Sequence, residues 1–141
     1  MDQTAVLIFE ALRDATETPE GKALYILALI CIAMIVDFLV GSLAAWRNPE
    51  VKFCSQKGID GILRKLASIL VLAVCIPVSA LIPADVGLVA LIVLYVGYLV
   101  MELASIVENL NSLGVPVGPL KAFIENVSEI THHDGKDDNN D

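Results

Sequence analysis

Two carboxylic acids stand where water should be scarce. Asp37 interrupts an otherwise uncharged stretch from residue 23 to residue 46, and Glu102 directly follows the uncharged run 86–101. A carboxyl group in hydrocarbon costs several kcal/mol unless it is paired, protonated or wetted, so each must face a neighbouring helix or an aqueous lumen. Steps of four around Asp37 give Ala33, Asp37, Gly41 and Ala45, a stripe of small and polar residues on one helix face. That composition lets helices approach closely in lipid. It serves equally as a subunit contact or pore lining and as an ordinary packing seam within one chain. Tyr98, Glu102, Ser105 and Asn109 share a second face, a polar ladder suited to hydrogen bonds between copies of the protein. The alternative for Glu102 is a place at the membrane rim, its carboxylate reaching into the headgroups.

The remaining reactive residue types form no constellation. Cys31 and Cys75 lie in apolar runs and Cys54 between them, without CxxC spacing, and all three read as small buried hydrophobes. His132 and His133 adjoin Asp134, but an adjacent pair lacks the spacing of a folded metal site, so no metal and no cofactor are expected. No nucleophile elbow, phosphate loop or zincin motif occurs, and two separate intramembrane carboxylates do not make an acid/base pair. The sequence predicts a protein that is not an enzyme.

The elements that position these groups follow from composition. Of 141 residues, 56% are hydrophobic and 18% charged, with a mean hydropathy of +0.71; typical soluble domains are about 25% charged. The net charge of −8 leaves no basic face for nucleic acid. The aliphatic residues gather into runs, so the bilayer is the expected solvent. The predicted class is an all-α integral membrane protein of about three transmembrane helices with short amphipathic terminal helices. The spans fall at about 23–46, 66–84 (carrying Pro77 and Pro83) and 86–107, the last reaching spanning length only with Glu102 included. Residues 1–22 form an acidic N-terminal segment in which 4–15 are amphipathic. It either lies at the interface, packs on a neighbouring subunit or stays solvated. Gly114-Val115-Pro116 breaks the helix that follows span three. Within 108–131 a second amphipathic helix is expected at about 119–130, and the acidic stretch 132–141 reads as a disordered tail.

Orientation follows from the basic residues. Arg47, Lys52, Lys57, Arg64 and Lys65, five of nine, lie between the first two spans. The loop they form should sit on the membrane surface in the cytoplasm. That puts the N-terminus and the turn at Pro83-Ala84-Asp85 outside, and the C-terminus in the cytoplasm.

Three segments occur in a fixed order: Asp37-Phe38-Leu39-Val40-Gly41, then Lys57-Gly58-Ile59-Asp60-Gly61-Ile62-Leu63-Arg64-Lys65-Leu66, then Glu102-Leu103-Ala104-Ser105-Ile106-Val107-Glu108-Asn109 followed by Gly114-Val115-Pro116. Over residues 35 to about 128 this pattern resembles the phage lysis holin family, which also includes clostridial toxin-secretion holins. Gly118 stands where members commonly carry proline, with Pro119 one residue later. The resemblance implies a multi-pass protein of the bacterial host cytoplasmic membrane. Such a protein oligomerises with itself in the lipid bilayer and opens timed lesions that release an endolysin or a toxin. A holin antagonist and a small proton-coupled transporter are the alternatives; the latter lacks an internal repeat.

Overall fold

The computed structural model describes residues 2–47, 55–83 and 86–133, which form five α-helices and no strand. They are α1 (Gln3–Ala15), α2 (Pro19–Arg47), α3 (Ser55–Ser79), α4 (Val86–Ser112) and α5 (Gly118–His133). Among the described residues three segments are long and apolar enough to cross a bilayer: Pro19–Arg47, Gly58–Ser79 and Val86–Ser112. At 1.5 Å per residue even the shortest of them measures about 33 Å, enough for a hydrocarbon core of about 30 Å.

Local chemistry sets the helix ends. Thr18 caps α2, its Oγ accepting from the Gly21 N–H at 3.0 Å, with Pro19 at the first helical position, where its fixed φ fits and no N–H is needed. α4 ends in a reversal in which the Gly114 N–H reaches the Asn111 carbonyl at 2.9 Å and the Val115 N–H the Leu110 carbonyl at 3.1 Å. This is the Schellman pattern, and Gly114 supplies its left-handed residue at φ +79°. Pro116 then follows and prevents continuation.

The second span differs from the sequence expectation of 66–84. Helix α3 begins well before Leu66 and stops at Ser79, where a turn over residues 80–83 takes over, the Leu81 N–H bonding the Val78 carbonyl at 3.1 Å. The chain can carry Arg64 and Lys65 inside a helix because helical backbone satisfies its own polar groups and Lys65 finds counter-charges, as described below. Pro77 is accommodated two residues from the end, at the cost of a donor for the Ala73 carbonyl. At the C-terminus the helix runs through His132 and His133 before the described residues end. The loop residues Lys52 and Cys54, the turn residues Ala84 and Asp85, and 134–141 of the acidic tail lie outside the described residues.

α2 and α4 run parallel and pack along their lengths, whereas α3 is antiparallel to both and more loosely attached. The core comprises Ala23, Ile30, Met34, Leu72, Leu91 and Tyr95, of which Ile30 and Tyr95 are completely buried. Leu72 is the one buried side chain of α3 among the described residues. Outward-facing residues of the spans, such as Leu39, Leu70, Val71, Val74, Val93 and Met101, are more than half exposed. Such an apolar surface would drive aggregation in water and is the expected face toward acyl chains. The protein is a membrane protein.

Candidate polar site within the membrane bundle

Asp37 lies ten residues before Arg47 at the end of α2, Lys65 ten residues after the start of α3, and Glu102 ten residues before the end of α4. Ten residues of helix rise about 15 Å. With α3 antiparallel, all three groups therefore reach a common depth, well inside the bundle. Trp46, 81% exposed at the end of α2, is of the type that anchors at a headgroup boundary, and Asp37 is nine residues, or about 13 Å, below it.

At that depth the side chains converge. The Lys65 Nζ stands 3.0 Å from Asp37 Oδ2 and is also paired with Glu102 Oε2. Asn109 Nδ2 donates to Asp37 Oδ1 at 2.9 Å, so both oxygens of Asp37 are engaged. Asp37 is only 8% exposed, which makes these partners necessary: a buried carboxylate without them would carry the desolvation penalty uncompensated. No buried side-chain nitrogen or oxygen among the described residues lacks a partner. One cation between two carboxylates leaves a formal excess of negative charge in the cluster.

Two further bonds pin α3. The Tyr95 hydroxyl donates to the Leu72 carbonyl at 2.6 Å, and the Tyr98 hydroxyl to Ser68 Oγ at 2.7 Å. At the end of the bundle, Arg47 Nη1 donates to the Leu113 carbonyl at 3.0 Å, linking the last turn of α2 to the reversal after α4.

The residues singled out by sequence thus meet within one chain. Ala33 and Asp37 are buried, Gly41 lies against Asn109 and Ala45 is half-buried, so the small-residue stripe faces inward. Tyr98, Glu102 and Asn109 point to α3 and α2, and Ser105 is half-buried on the same face. The expectation for the basic group changes for Lys65. Instead of lying on the membrane surface with the loop, it turns inward, because two carboxylates at its depth offer more than the headgroups can. Arg64 and Lys57 also belong to α3, not to an irregular loop, and Arg64 is exposed. Lys65, Ser68 and Tyr95 were missed as partners of the site. The signal available was the spacing Lys65, Ser68, Leu72, which puts an ammonium, a hydroxyl and an apolar residue on one helical face.

Comparison with known proteins places this architecture. A sequence profile described as the bacteriophage holin family matches residues 15–129. An antiholin of Bacillus phage phi29 is 36% identical over 94 residues, covering 67% of this chain and 70% of that protein. Antiholins of Bacillus phages PZA and B103 are 35% and 33% identical, over 94 and 103 residues, covering 67% and 73% of this chain and 70% and 76% of their own lengths. No solved structure matches the chain.

Proposed function

The chain belongs to the bacteriophage holin family, and from that membership we propose that it is a holin: it accumulates in the host cytoplasmic membrane, self-associates and at a set time opens lesions. The family is membrane-associated, self-assembling and in general non-enzymatic, and its role lies in lysis.

The observation that carries the reading is the cluster of Asp37, Lys65, Glu102 and Asn109, closed inside a single protomer. Charges in lipid are stable only while paired, so the cluster acts as a latch that keeps an isolated protomer compact. When protomers crowd, α3, which the tertiary contacts hold least among the three spans, swings away from the α2–α4 pair. The polar faces of α2 and α4, including Ala33, Asp37, Gly41, Glu102, Ser105 and Asn109, then line water shared between copies. Hydration replaces the ion pairs at little cost once a lumen exists. The cargo is an endolysin or a toxin. In this reading the termini lie on opposite sides of the membrane, and Arg47, Lys52, Lys57 and Arg64 favour a cytoplasmic α2–α3 connection and C-terminus.

The names of the relatives favour a second reading, that of an antiholin. In that role the same latch never opens, and the chain dilutes a pore-forming partner of similar architecture. Induced expression in a bacterium containing a cytoplasmic endolysin separates the two. A holin gives a delayed, abrupt collapse of membrane potential with release of the enzyme. Stable potential at high membrane abundance, together with delayed lysis when a pore-forming holin is co-expressed, rejects the holin reading in favour of the antiholin.

A further inference from the structure

Helix α1 buries no residue, although Leu7, Ile8 and Phe9 are 64%, 55% and 68% exposed. At 100° per residue, Ala5, Leu7, Ile8, Phe9, Ala11 and Leu12 fall within one arc of about 200°, and Gln3, Glu10, Arg13 and Asp14 occupy the other side. Val6 alone of the large apolar residues falls in the polar arc. An apolar face this wide on a soluble arm would need a protein partner; here the chain offers a different one.

α1 is tied to a membrane span by a short and well-determined corner. Three residues, Thr16, Glu17 and Thr18, separate it from α2. Thr16 closes α1, its N–H bonding the Arg13 carbonyl at 3.0 Å and its hydroxyl donating to the Leu12 carbonyl at 3.1 Å, while Thr18 caps α2. The two helices approach so closely that a Cβ on Gly21 would stand 2.3 Å from the Ala15 carbonyl oxygen. The corner therefore holds the start of α2 against the end of α1, and among the described residues α1 packs on no helix but α2.

We propose that α1 lies flat in the headgroup layer at the N-terminal end of α2, with Ile8, Phe9 and Leu12 in the acyl boundary and Glu10, Arg13 and Asp14 toward water. The occupant of its apolar face is lipid, continuous with the acyl contact of α2. Glu10 and Asp14 against the lone Arg13 give the polar arc no attraction for anionic headgroups, so insertion is driven by apolar area and is insensitive to lipid charge and salt. The inference rests on α2 being a span and is independent of the choice between holin and antiholin.

The test uses the full chain in phosphatidylcholine vesicles, with Cys31, Cys54 and Cys75 replaced by alanine and nitroxide attached singly at Ile8→Cys, Glu10→Cys, Leu12→Cys and Asp14→Cys. The expected result is relaxation dominated by oxygen at positions 8 and 12 and by a water-soluble nickel complex at 10 and 14, a severalfold alternation in their ratio that persists with anionic lipid or high salt. Equal nickel access at all four positions overturns the proposal in favour of a solvated helix. Spin–spin broadening at 8 and 12 that vanishes on dilution with unlabelled protein overturns it in favour of a second copy as the occupant.

Discussion

Asn109 on α4 occupies the space that Gly41 leaves open on α2. A Cβ at position 41 would stand 3.2 Å from the Asn109 amide nitrogen, the same nitrogen that donates to Asp37 one turn away. The small residue and the carboxylate of the stripe therefore act together on one side chain: Gly41 admits the amide and Asp37 binds it. Gly41→Leu should push Asn109 off Asp37 and cost about 1–3 kcal/mol, the usual range for overpacking. Asn109→Ala should cost about 1 kcal/mol, as membrane hydrogen bonds do. Because both changes act on one bond, the double variant should lose less than the sum in detergent unfolding. Strict additivity would show that the two residues are not coupled.

Lys65 holds two carboxylates that no other cation among the described residues reaches. Removing it should be far worse than removing the whole cluster. Lys65→Met is expected to cost about 3–5 kcal/mol, because buried Asp37 and half-buried Glu102 are left without their shared cation. Adding Asp37→Asn and Glu102→Gln to that variant should recover most of the loss. A single Lys65→Met variant within about half a kcal/mol of the parent, the margin within which independent effects normally add, would refute the pairing.

The attachment of α3 makes a separate prediction. Tyr95→Phe and Tyr98→Phe each delete one bond to that helix, and each should cost about 0.6–1.7 kcal/mol. Hydrogen exchange should accelerate across residues 58–79 and leave the centre of α2 protected. Equal acceleration in both helices would mean that the bundle opens as one unit, contrary to the swing of α3 proposed above.

Lysis timing tests the latch in the cell. At equal membrane abundance, Lys65→Met should advance the onset of lysis, since the unpaired carboxylates gain most from a wet lumen. Lys65→Arg, which keeps the charge but not the compact ammonium, should shift it less. Asp37→Ala and Glu102→Ala should also alter the timing. Unchanged onset in all four variants would separate the cluster from gating.

Much of the architecture was legible because it depends on local properties. Run 23–46 is long and apolar enough to declare a span whatever its neighbours are, 86–107 reaches that length once Glu102 is included, and Gly114-Val115-Pro116 stops a helix through its own backbone preferences. Helix α3 departs from the expected 66–84 for the same reason: Arg64 and Lys65 read as surface charges when the helix is taken alone. Their inclusion in α3 becomes favourable only once partners for Lys65 are supplied from elsewhere in the chain.

The sequence by itself determined that Asp37 and Glu102 needed partners, because a carboxylate in hydrocarbon is costly in any fold. The tertiary structure alone decided that the partners lie in the same chain. That outcome depends on α3 running antiparallel to α2 and α4, which brings Lys65 to their depth, and on the rotation of three helices about their axes, which aims the side chains inward. Depth and rotation arise from packing between segments far apart in the chain, and hydropathy along one segment carries no record of either.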